Sequence, residues 1–154
     1  MEQLHALIPS PRAAKRFLNI YRLLRASGPR HQKTGTPLPN PCAAQLLLAI
    51  QTGFPEPAAD ILRQLIEAPP SGSWWSFADT FKARESPAAG GDGLEAEKWK
   101  DLFARLKSIR PKITLEDTCE PFVAWAPDVA RYSFQSGRAL LAARLVDSGE
   151  GSAV

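Results

Sequence analysis

The chain has 154 residues, enough for one domain or one and a half, and its 44% hydrophobic content can fill only a modest core. The net charge is +3, a small value that hides an uneven distribution: the N-terminal third is basic and acids concentrate after Asp79. Two cysteines, Cys42 and Cys119, lie far apart without CxxC spacing, which fits thiols in a reducing compartment rather than a disulfide scaffold.

In chain order the pattern is helix after helix. A short helix or helical tail covers residues 2–8. The next begins with Ser10 as N-cap and Pro11 at the first helical position, where a missing N–H costs nothing. At about 100° per residue, Ala13, Phe17, Ile20, Tyr21 and Leu24 gather on one side of it. Arg12, Lys15, Arg16, Asn19 and Arg22 gather on the other, with Leu23 as an apolar exception among them. Between Glu2 and Glu56 there is no acidic residue, so this cationic face calls for an anionic partner or an acidic surface elsewhere. Ser27-Gly28-Pro29 ends the helix, and a loop over 29–39 follows, where a pair of short strands is an alternative. Asn40 and Pro41 open a nearly all-apolar helix that Gly53 stops. Glu56-Pro57 opens another, with Ala58, Ile61, Leu62, Leu65 and Ile66 at helical spacing. Pro69-Pro70-Ser71-Gly72 breaks the chain, and Ser73 caps a helix over 74–84.

Residues 86–93, rich in Gly, Ala, Pro and Ser, read as a flexible linker between a basic N-terminal helical subdomain (1–85) and a C-terminal helical segment (94–146). The latter starts with an amphipathic helix over 94–109, burying Trp99, Leu102, Phe103, Leu106 and Ile109, and Pro111 ends it. Thr114 with Asp117 reads as a capping-box-like start of a helix disturbed at Pro121. Residues 128–145 read as a last helix, bent near Gly137, and 147–154 as a disordered tail. The longest apolar run, 42–50, is interrupted by Gln45 and too short for a bilayer. The first residues lack the charged and apolar regions of a signal peptide, so a cytoplasmic location is expected.

The run Ser10-Pro11-Arg12-x-x-Lys15-Arg16-Phe17-x-Asn19-x-Tyr21-Arg22-Leu23-Leu24-Arg25 resembles the helical segment after the nucleotide-binding core of KAP-type P-loop NTPases and related bacterial AAA+/STAND-type ATPases. Residues 46–55 and 125–134 are similar to the same family's C-terminal region. The resemblance implies that Arg12 approaches nucleotide phosphates as a sensor, with Lys15 and Arg16 supporting it or pairing across an interface. It implies ATP and Mg only for a core domain supplied in cis or in trans, and no cofactor in this chain itself. The core is what departs: G-x-x-x-x-G-K-[ST] is missing, and Gly28-Pro29-Arg30-His31-Gln32-Lys33-Thr34 lacks the second Gly and follows a helix. No Walker B segment is visible either. The expectation is a C-terminal fragment, or a short reading frame split from its upstream part.

Other chemistry is sparse. Trp74, Trp75, Phe77 and Phe81 form an aromatic cluster; Trp74, Phe77 and Phe81 share one helix side, which leaves Trp75 for an interface. His5 and His31 have no partners at metal-ligand spacing. Glu116, Asp117 and Glu120 surround Cys119 with negative charge, the opposite of what a nucleophilic thiolate needs. Arg131 and Arg138, two turns apart, are candidates for packing or for docking against a core or a neighbouring subunit. The reading is an all-α irregular bundle of six or seven short helices, a non-catalytic lid or regulatory domain of a KAP-like ATPase and no enzyme on its own. A small helical nucleic-acid-binding module using the same basic helix is one alternative, and a protein-interaction adaptor built around Trp74 and Trp75 is another.

Overall fold

A computed structural model describes residues 2–28, 37–86 and 92–133. Six α-helices follow one another among them: α1 (Pro11–Ser27), α2 (Pro41–Gly53), α3 (Pro55–Glu67), α4 (Trp74–Asp79), α5 (Gly93–Ile109) and α6 (Glu120–Arg131). Shorter 3₁₀ turns stand at Glu2–Leu7, Lys82–Glu85 and Arg110–Lys112, and no strand occurs among the described residues. The fold is an irregular all-helical bundle.

Local chemistry sets most of the starts. Proline occupies the first turn of α1, α2, α3 and α6, where its fixed φ is pre-set for helix. The Ser10 hydroxyl accepts from the Ala13 N–H at 3.2 Å, and Asn40 Oδ1 accepts from the Cys42 N–H at 3.0 Å. Gly28 ends α1 at φ 63°, a left-handed value that favours glycine, while its N–H bonds the Leu24 carbonyl.

Helix α2 is the spine. Eight of its thirteen residues are buried, so it is covered on nearly every side, by α1, α3, α6 and the N-terminal 3₁₀ turn. A fully buried Leu or Ile contributes about 1.5–3 kcal/mol relative to exposure, and α2 supplies Leu46, Leu47, Leu48 and Ile50. Its last residue, Gly53, lies so close to the first turn that a Cβ there would overlap the Leu7 carbonyl oxygen. That approach holds residues 2–7 against the bundle.

A ladder of rings joins the C-terminal half to the rest. Phe122 of α6 stacks on Trp74 of α4 at 3.7 Å between centroids and 5° between planes. Trp74 meets Phe77, Phe77 meets Phe81 edge-on at 5.4 Å, and Phe81 stacks on Trp99 of α5 at 5.3 Å. Side chains from both sides of the 86–93 stretch thus share one buried cluster.

Three expected elements differ. The helix expected over 74–84 stops at Asp79, and a turn and the 3₁₀ turn at Lys82–Glu85 take its place. Residues 113–119 are not helical, so Thr114 caps nothing and the helix starts at Glu120. The reason is that Asp117 is engaged elsewhere: its carboxylate accepts from the Ser73 hydroxyl at 2.7 Å and the Trp75 N–H at 3.1 Å. Pro121 lies in the first turn of α6 and disturbs nothing. Asp128 does not begin a helix but sits in the last turns of α6, which ends at Arg131. The expectations for 134–154, Arg138 and the tail included, and for most of 29–39 and of the linker, fall outside the described residues.

Candidate functional site

Helix α1 keeps its two faces apart. Phe17 and Leu24 are buried, and Ala13, Ile20 and Tyr21 are half-buried, with Tyr21 stacked on Phe17 at 6.2 Å. Arg12, Lys15, Arg16, Asn19, Arg22 and Leu23 are all exposed, together with Arg25. Leu23, 55% exposed, lies inside the cationic stripe as the helical spacing requires. At about 1.5 Å per residue, Arg12 to Arg22 spans about 15 Å. None of these cations makes an ion pair among the described residues. No acid stands in the first turn of α1, so Arg12 and Lys15 add their charge to the positive end of the helix dipole.

Most cations of α3, of α5 and of the 3₁₀ turn between them show the opposite pattern. Arg63 pairs with Asp60 at 2.7 Å, Arg84 bridges Asp60 and Glu95, and Lys98 pairs with Glu56. Arg105 bonds Asp101 at 3.0 Å, donates to the Ala6 carbonyl and lies 5.7 Å over the Phe54 ring. One side chain thereby ties α5 to the N-terminal turn and to the α2–α3 corner.

Trp75 is half-buried and points away from the ladder, as its helix position implies. Arg110 sits 4.8 Å over its ring, a cation–π contact. The Trp75 backbone N–H donates to Asp117, which with Ser73 forms a shared cap of α4: Ser73 donates to Asp117 and accepts from the Ser76 N–H at 3.1 Å. These bonds, the Ser73 hydroxyl first and the Trp75 N–H next, hold the Asp117 carboxyl below its ordinary range. A second tie, from the Cys119 N–H to the Gly72 carbonyl at 2.8 Å, fixes the 113–119 segment.

Cys119 is buried, and its thiol is pushed up, mainly by burial and secondarily by the Asp117 charge. Of the three acids in its neighbourhood, only Asp117 contributes. Arg131 is exposed and turns back to Asp128, one turn earlier, at 3.8 Å. The structure does not bring Arg131 or Trp75 onto the α1 face: these candidates lie on other helices. The basic stripe Lys100, Lys107 and Arg110 that flanks Trp75 is a further candidate, signalled in the sequence only by its spacing along α5 and the turn after it. No group of His, Cys, Asp and Glu among the described residues has metal-site geometry, and no described helix is long and apolar enough to cross a membrane.

No protein-family model matches this chain, and neither a curated protein nor a solved structure shows significant similarity to it.

Proposed function

We propose that this chain is a non-catalytic helical lid or regulatory domain that presents α1 to an anionic surface, the nucleotide-loaded core of a P-loop ATPase. The observation that supports it is the exposed cationic face of α1, with its four cations lacking carboxylate partners among the described residues. The ATPase assignment itself comes from the resemblance of residues 10–25. In this reading Arg12, beside the positive end of the helix dipole, approaches phosphate oxygens. Lys15 and Arg16 stand one turn further along and meet acids of the core. The apolar face of α1 keeps the helix seated on α2 while the cationic face is engaged.

The test begins with the reading frame upstream, or a longer version of the chain, which must encode a Walker A core. With that core present, Arg12→Ala lowers ATP hydrolysis by about a hundredfold, the order seen when a charge-stabilising group is removed. Unchanged hydrolysis, or an upstream frame without a P-loop, overturns the reading.

The length of the stripe favours a second reading. Cations spread over about 15 Å exceed what one triphosphate engages and suit successive phosphates of a nucleic acid. Anisotropy of labelled duplex and single-stranded DNA, from low to physiological salt, then shows salt-sensitive binding that Arg12→Ala/Lys15→Ala/Arg16→Ala removes. No binding at low salt eliminates it.

A further inference from the structure

Helix α5 and the turn after it carry Lys100, Phe103, Lys107 and Arg110 at three- and four-residue spacing, and this stripe faces Trp75 and Lys82. Between them lies a cleft of about 520 Å³. Its floor is apolar: Leu106 is buried, while the half-buried Trp75 and Phe103 both line the opening. Its rim is cationic, with four basic residues against Asp79 and Glu85. Lys82 leans on Asp79 at 3.2 Å and Lys100 on Glu97 at 3.7 Å, each within its own segment and with both partners more than half exposed. Such pairs contribute about 0–1 kcal/mol and exchange readily for another carboxylate. Lys107 makes no ion pair among the described residues. Arg110 holds the Trp75 indole from above.

We propose that this cleft docks an acidic peptide segment of a partner protein. One large apolar side chain of the peptide seats between Trp75 and Phe103, and its flanking carboxylates pair with Lys107, Arg110 and Lys100. The charge and the floor together select this occupant. A small anion would leave the aromatic floor uncovered. A neutral apolar segment would cover Lys107 without giving its ammonium a partner, which is unfavourable. An apolar anchor ringed by charge pairs satisfies both parts, in the arrangement of an apolar centre and polar rim common to protein interfaces. The groove contains no α1 residue, so it is independent of the anion-facing helix.

The test is anisotropy of a fluorescein-labelled poly-glutamate peptide with one central Phe. The same peptide with Ser in place of Phe, and labelled oligothymidine, serve as comparisons. The Phe peptide binds saturably, and both Lys107→Glu and loss of the anchor weaken it by roughly tenfold. Arg12→Ala/Lys15→Ala/Arg16→Ala leaves the preference for the Phe peptide over the Ser peptide unchanged. Lys107 is exposed, so Lys107→Glu alters the rim without touching the core, and circular dichroism checks that the helices remain. Equal binding of the anchorless peptide, indifference to Lys107→Glu, absence of binding at low salt, tighter binding of oligothymidine than of the Phe peptide, or transfer of the effect to the α1 variant each overturns the proposal.

Discussion

Two surfaces of this bundle carry similar numbers of basic residues and treat them in opposite ways. On α3, α5 and the 3₁₀ turn between them the cations other than Lys107 are matched by nearby acids: Asp60 serves both Arg63 and Arg84, Glu56 serves Lys98, and Asp101 serves Arg105. On α1 the cations stand without acids, because no Asp or Glu occurs from residue 3 to residue 55. The contrast separates charge that the fold uses from charge that it merely carries. Arg105 contributes to the packing of α5 on the N-terminal turn. Arg12, Lys15, Arg16 and Arg22 are exposed and make no ion pair among the described residues, and their mutual repulsion is slightly unfavourable to the isolated chain.

The strongest way to break this comparison is Arg12→Glu/Lys15→Glu/Arg16→Glu. Affinity for an anionic partner falls by about a hundredfold or more, since three favourable charges become repulsive. Stability changes by no more than about 0.5 kcal/mol, as for surface positions without partners. Titration of the partner alongside a thermal melt checks both halves. A large loss of stability would mean that α1 cations support the fold after all.

Arg105→Ala is the matching experiment on the paired side. It removes a donor to the Ala6 carbonyl, a cation over Phe54 and a pair with Asp101. The expected loss is about 1–3 kcal/mol in urea unfolding, dominated by the carbonyl left without its donor and the lost packing of the stem.

How much of this was legible follows from how local each signal is. The starts of α1 and α2 are written within four residues, as Ser10-Pro11 and Asn40-Pro41, and the structure has them there. The two faces of α1, with Leu23 exposed among its cations, follow from one helical period. Trp74, Phe77 and Phe81 share a side for the same reason. The Asp117–Ser73 cap joins residues 44 apart, and nothing in the local pattern marks it. Thr114 and Asp117 therefore read as a capping box, although the carboxylate is spent on α4. Pro121 misled in the other direction, because a proline in a first turn looks like a break until the start of the helix is known. The groove beside Trp75 needs two elements brought together by the aromatic ladder, so only its α5 half could be read in advance.

The shared cap gives a smaller effect with a definite pH sign. Asp117→Asn keeps the shape but removes the negative charge that accepts from Ser73 and Trp75, and, because water screens this exposed carboxylate, less than about 1 kcal/mol is lost at neutral pH. The native carboxyl lies below its ordinary value, so its contribution is fully present above about pH 4, where an unfolded Asp is ionised. It fades as pH falls through the lowered native value. Unfolding curves of the parent chain and Asp117→Asn converge on acidification; curves that stay apart would show that the Asn bonds matter more than the charge.

Asp60→Asn probes the smallest difference and the one that bears most directly on the contrast between the surfaces. Asp60 is about a fifth exposed, while Arg63 and Arg84 are roughly half exposed, so water and salt screen both pairs. The expected loss is below about 1 kcal/mol at low salt and smaller at high salt. The α1 cations respond in the opposite sense, because salt screens repulsion there and leaves the chain slightly more stable. A salt series on the parent chain alone therefore sees two opposing trends nearly cancel. The same series on Asp60→Asn, which weakens one trend, and on Arg12→Ala/Lys15→Ala/Arg16→Ala, which weakens the other, separates them. A salt slope more positive than the parent's in Asp60→Asn and more negative in the triple variant assigns each trend to its surface; identical slopes would mean that the acids of α3 and α5 already screen α1 across the bundle, and that its face is less available to a partner than its exposure suggests.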